Sequence, residues 1–167
     1  MDEVPSPVSI PYHAQETDVT CGPAAVKMVL DSLWGLRVEE ASLATKLGTD
    51  AHIGTRQRVL ATFLDAMGFE ATVRHTDTKI EAIGQFMKSG HVIIVCYWLQ
   101  SEDTDHYAVV EEIDAQRITL ADPWTGPRTR IGIEDFDAAW RGDYLVPNRR
   151  DRWMLAVRVP PTDVSDA

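Results

Sequence analysis

The hydrophobic period changes halfway along the chain, and that change limits the fold more than any other feature. In the first half, Val26, Val29, Leu30 and Leu33 fall at i, i+3, i+4 and i+7, which is one face of an α-helix. The pattern predicts a helix that begins at Cys21, carries Pro23 in its first turn, where a missing N–H costs nothing, and stops at Gly35. Further helices are expected over Glu39–Leu47, over Arg56–Met67 with the stripe Val59, Leu60, Phe63, Leu64 and Met67, and over Lys79–Lys88. Beyond residue 90 the segments shorten and become β-branched or aromatic. Val92–Trp98, His106–Glu111, Arg117–Asp122, Thr129–Ile133 and Met154–Val159 read as strands set off by Asp, Gly and Pro, with a short helix at Glu134–Trp140. Helices first and hairpin-spaced strands afterwards imply an α+β fold, an N-terminal helical layer packed on a largely antiparallel sheet.

At 167 residues, 44% of them hydrophobic, the chain is long enough to enclose one core, so a single domain over 1–167 is expected. Residues 1–20 read as an extended arm whose apolar patch at Val8–Tyr12 suits an edge strand, and residues 1–7 and 160–167 as frayed ends. The net charge of −10 opposes the phosphate contacts of a nucleic-acid binder, so no nucleic-acid partner is expected. The longest apolar run, His91–Leu99, is about half of the ~20 residues a membrane helix needs, and no membrane segment is expected. Two cysteines without C-x-x-C spacing, and no secretory signal, point to a reducing, cytoplasmic setting.

Cys21 carries the first chemical signal. A thiol at a loop-to-helix junction lies against unpaired N–H groups and the positive end of the helix dipole, an environment that favours a nucleophilic thiolate. The small residues Gly22, Ala24 and Ala25 let that helix end approach another layer closely. Cys96, inside an apolar run, reads as a buried small hydrophobe. Among five histidines, His13, His52, His75 and His91 read as surface or satisfied side chains, whereas His106 opens a strand directly after a polar loop. Asp122 ends the next strand, where a hairpin would bring it beside His106, although Asp-Pro is also a common turn opener. A thiol, an imidazole as proton acceptor and an orienting carboxylate form a nucleophile-base-orienter set. Gln15, six residues before Cys21, is close enough to point its amide at the carbonyl under attack and complete an oxyanion hole with the Cys21 N–H, although a solvated loop glutamine is also common.

These residues, Gln15-x5-Cys21-Gly-Pro-Ala-Ala, Gly54-Thr55, Met67-Gly-Phe, Asp105-His106-Tyr-Ala-Val-Val and Ala121-Asp122-Pro, resemble the bacteriocin-processing, double-glycine leader peptidase family of papain-like cysteine peptidases. The resemblance covers about residues 8–160. It implies a papain-like fold with Cys21 as nucleophile, His106 as general base and acid, Asp122 as orienter and Gln15 in the oxyanion hole. Many members are the N-terminal domain of a transporter, whereas this chain reads as a free-standing member. The implied activity is peptide or amide cleavage through a Cys21 thioester. An acyl transfer to an amine uses the same constellation, and a non-catalytic peptide-binding module is the reading from a different class. No cofactor and no metal are expected, since no H-E-x-x-H or paired-cysteine spacing occurs. Trp98, Tyr107 and Trp124 stand near strand ends where they would line either a cleft or the core. The acidic balance favours a basic or neutral peptide substrate over an acidic one.

Overall fold

The computed structural model describes residues 3–142 and 151–162 of the chain. Its strands are β1 (Glu70–Arg74), β2 (Val92–Leu99), β3 (Thr104–Ile113), β4 (Arg117–Asp122), β5 (Gly126–Gly132) and β6 (Met154–Arg158). They form one sheet in the order β1-β6-β2-β3-β4-β5. Every pairing is antiparallel. The helices are α1 (Cys21–Trp34), α2 (Glu40–Lys46), α3 (Gln57–Ala66), α4 (Glu81–Lys88) and α5 (Ile133–Ala139). This is the α+β architecture expected from the change of period.

The sheet is covered on both faces, which explains why β2 is apolar at consecutive positions instead of alternating. Ile94, Cys96, Val109 and Leu155 pack with Val26, Val29 of α1 and Leu60, Leu64 of α3. On the other face Ile93, Val95, Leu120 and Met154 pack with Ile83 of α4 and with Phe136 and Trp140. Helices α4 and α5 thus cover the face that α1 and α3 leave open.

β1 was not expected from the sequence. It is a five-residue edge strand, mostly half-buried, and it exists because β6 returns from the far end of the chain to pair with it, Glu70 opposite Arg158. The other edge, β5, carries exposed Pro127, Arg128 and Arg130, which discourage a further strand from adding there. The N-terminal arm, by contrast, does not supply the expected edge strand. Within residues 3–20 it meets the sheet through side chains and isolated backbone bonds such as Val8 N–H to Glu111 O at 2.8 Å. Its prolines at 5, 7 and 11 lack the N–H groups that a ladder requires. Pro5 is buried and abuts Gly84 of α4. Residues 1–2 and 163–167 of the expected frayed ends lie outside the described residues.

α1 is the axis of the N-terminal layer, buried along nearly its whole length. Gly35, at φ +62°, ends it: its N–H returns to Asp31 O at 2.9 Å and that of Leu36 to Leu30 O at 3.3 Å. The left-handed turn uses the one residue type that adopts it without steric cost.

Candidate active site

Cys21 is the first residue of α1, and the residue before it leaves the helix start open. Thr20 makes no side-chain cap. Its hydroxyl instead accepts from the N–H of Thr17 at 3.0 Å and knots the preceding loop. The first N–H groups of α1, which have no acceptor within the helix, are therefore uncapped beside the thiol. Gly22 allows the close approach that the run of small residues suggested. A Cβ there would stand 2.7 Å from both Cβ and Oγ1 of Thr55. Thr55 is itself fixed by the Tyr107 hydroxyl, which donates to its carbonyl at 2.8 Å, and by Thr49 Oγ1 at 2.7 Å.

His106 is the third residue of β3, which begins two residues earlier than expected, and is buried, and Asp122, at the end of β4, is 0% exposed. His106 Nε2 lies 2.6 Å from Asp122 Oδ1. The same oxygen accepts from the N–H groups of Trp124 at 2.8 Å and Thr125 at 3.0 Å, so the turn after β4 is folded around the carboxylate. Oδ2 accepts a hydrogen bond from the hydroxyl of Tyr97, which faces His106 across the β2–β3 ladder. The Asp-Pro turn and the histidine contact are thus both present at Asp122.

These contacts set the charges. Burial of the His106 ring, the largest single influence, favours the neutral imidazole, but the hydrogen bonds to Asp122 and to Cys21 outweigh it and hold the pKa up at about 9. Burial pushes Asp122 upward, and the bonds from His106, Tyr97 and Thr125 more than offset this, leaving it below the usual carboxylate value. An imidazolium-carboxylate pair at neutral pH follows. Burial pushes the Cys96 thiol well above its ordinary value, in keeping with a structural cysteine.

Two hollows flank His106. One, of about 290 Å³, is shared by Cys21, His106, Gly54, Thr55 and Trp98. The other, of about 230 Å³, is lined by Gln15, Leu99, His106 and Trp124. Trp98, Tyr107 and Trp124 therefore all reach a wall of the cleft. Gln15 lies beside His106, its backbone N–H on Pro123 O at 3.0 Å and its Nε2 donating to Thr17 O at 2.7 Å. Asp105, next to the histidine, has its carboxylate 3.9 Å from Arg141 Nε and not on the His106–Asp122 pair. Two residues escaped sequence reasoning. Tyr97 sits in an apolar run that reads as core, and only the register with His106 reveals its contact with Asp122. Glu40 is an acidic residue at a helix start, a common exposed pattern, yet here it is 2% exposed and binds the backbone of Glu16.

Residues 9–152 match the Peptidase C39 family, and the chain belongs to it. It shares that family's cysteine-peptidase, hydrolase character. An uncharacterised protein of Methanothermobacter marburgensis is 36% identical over 137 residues, which cover 82% of this chain and 87% of that protein. A double glycine motif protease from an AMS/PCAT transporter, solved in complex with a leader peptide, shares the fold at a TM-score of 0.70 and 18% identity, over 95% of this chain and 100% of that one. The peptidase domain of Streptococcus ComA, a bifunctional ABC transporter, does so at 0.68 and 19%, over 91% and 100%. Among the described residues no helix is long and apolar enough to cross a membrane.

Proposed function

We propose that the protein cleaves a peptide or amide bond through a thioester on Cys21. The Cys21 Sγ attacks the carbonyl carbon while the negative charge that develops on the carbonyl oxygen is met by the Cys21 N–H and the second hydrogen of Gln15 Nε2. The imidazolium of His106 protonates the departing amine, the C–N bond breaks, and the acyl group stays on sulfur. Water then attacks the thioester, giving its proton to the neutral imidazole, and the carboxylic acid leaves as the thiolate is restored. Asp122 holds the ring so that Nδ1 is the nitrogen available to sulfur and substrate, and stabilises the cation.

The observation that supports this reading most is the 2.6 Å contact between His106 Nε2 and Asp122 Oδ1, with Cys21 raising the same imidazole's pKa. The likeness in fold to the double glycine motif protease makes a leader-type peptide with paired glycines before the scissile bond the first substrate to try. The test is turnover of that peptide by the wild type and by Cys21→Ala, with products weighed in the presence and absence of an added amine. Loss of turnover in a variant that melts like the wild type supports the reading, and the product masses separate hydrolysis from acyl transfer. Undiminished turnover by Cys21→Ala contradicts it.

A further inference from the structure

We propose that Glu40 is a positioning residue for the oxyanion hole, fixing the Gln15–Cys21 loop so that the Gln15 amide faces the sulfur. The inference rests on the assignment of Gln15 above and adds a residue to it.

The loop is held through the N–H groups of two consecutive residues, each bonded to a different element. The N–H of Gln15 donates to Pro123 O at 3.0 Å, in the turn folded around Asp122. The N–H of Glu16 donates instead to Glu40, at 2.9 Å from Oε2 and 3.2 Å from Oε1. Glu16 begins the bend that leads to Cys21, and anchors on two adjacent residues, made to different elements, restrain the peptide unit between them and with it the Cα of Gln15 from which the side chain projects. One anchor belongs to the His106–Asp122 side of the cleft and the other to α2. At its far end the loop is closed by the Thr17–Thr20 bonds directly before Cys21.

Glu40 is an unusual choice for a surface helix start. It is 2% exposed, and burial pushes its carboxyl up while the Glu16 N–H pulls it down. Glu16 and Lys27 are the charged groups that act on it. A carboxyl is rarely kept so deeply buried unless its acceptors are used, and here they are spent on the backbone N–H next to Gln15 and on the Thr20 side chain directly before Cys21.

The experiment compares Glu40→Ala, Glu40→Gln and Gln15→Ala with two reagents. Acylation by p-nitrophenyl acetate passes through a tetrahedral oxyanion that the hole would stabilise, whereas iodoacetamide alkylates sulfur without forming one. Glu40→Ala is expected to lower kcat for the ester roughly 10- to 100-fold, short of the ~10²–10³ that loss of a donor itself brings, with KM little changed. Alkylation of Cys21 stays at the wild-type rate. Glu40→Gln, which retains an acceptor oxygen, restores most of the activity, and Glu40→Ala adds nothing on the Gln15→Ala background. If Glu40→Ala unfolds, Glu40→Leu, similar in volume without an acceptor, must reproduce the ester loss. Gln15→Ala slow with Glu40→Ala at full speed overturns the inference alone, as does equal loss of esterase and alkylation. Wild type that is alkylated at Cys21 but releases no nitrophenolate overturns the Gln15 assignment and this inference with it.

Discussion

His106 Nε2 is 2.6 Å from Asp122 Oδ1, and this contact leaves Nδ1 as the ring nitrogen that the carboxylate does not engage. The contacts with Asp122 and Cys21 together hold the His106 pKa at about 9 against the effect of burial, so the imidazolium that the proposed mechanism uses to protonate the leaving group persists through neutral pH and is lost as pH rises through that value. Activity should therefore fall on the alkaline side near pH 9. In Asp122→Asn the limb should move down toward the ordinary 6.5, and kcat at neutral pH should drop by about 10²–10⁴. The pair's contribution to stability has its own window. His106, raised in the folded state, stabilises fully below 6.5 and ceases to do so as pH climbs through about 9. Asp122, lowered, stabilises fully above 3.8 and loses this as pH falls through its depressed value. Profiles of kcat/KM and of the urea midpoint against pH check both statements; an Asp122→Asn profile that overlays the wild type contradicts them.

Tyr97 holds the oxygen of Asp122 that His106 does not use. Tyr97→Phe should keep the ring in the core but leave Oδ2 without its donor, so the carboxylate loses part of its orientation. A hydrogen bond to a charged group contributes about 1.5–3 kcal/mol, so a fall in kcat of roughly one to two orders of magnitude is expected. The double variant with Asp122→Asn should be little worse than Asp122→Asn alone. Fully multiplicative losses in that cycle would show that Tyr97 acts elsewhere.

The approach of α1 to the loop at Thr55 leaves no space for a side chain at residue 22, where a Cβ would be 2.7 Å from Thr55. Gly22→Ala should displace the helix start, costing about 1–3 kcal/mol, and slow alkylation of Cys21. Thr55→Gly in the same chain should recover part of both losses, because it removes the atoms in collision. A Gly22→Ala protein with unaltered melting and unaltered alkylation would mean that the contact yields freely.

Beyond the His106 imidazolium, the formally charged side chains of the cleft are acidic. Asp18, Glu102, Asp103 and Asp105 line the two hollows beside His106, on a chain of net charge −10. Peptides with lysine near the scissile bond should be turned over faster than those with glutamate, and added salt should narrow the difference, since the Debye length shrinks to ~3 Å at 1 M. Comparing kcat/KM for matched lysine and glutamate peptides at low and high salt measures this. Equal values at low salt count against it.

Much of this was legible because it is written locally. Gly35 ends α1, the stripe Val59-Leu60-Phe63-Leu64 makes α3, and the second-half strands carry their own turn residues. The nearness of His106 to Asp122 was inferable from a hairpin spacing. What escaped notice depends on distant partners. β1 is held by β6, more than eighty residues later, and its own residues alternate too weakly to announce a strand. The arm's apolar patch looked like an edge strand, but its prolines rule out a ladder and its anchors lie on Glu111, Pro123 and Glu40. Tyr97 and Glu40 were hidden for one reason: a side chain's partner across the fold is not a property of its neighbours in sequence.

The most direct measurement is the rate at which iodoacetamide labels each cysteine near neutral pH, mapped by mass spectrometry in the wild type and in His106→Ala. Cys21 should be labelled far ahead of the buried Cys96, and loss of His106 should slow Cys21 sharply while leaving Cys96 as it was. Equal labelling of the two thiols, or a Cys21 rate indifferent to His106→Ala, would contradict a Cys21 nucleophile served by this histidine.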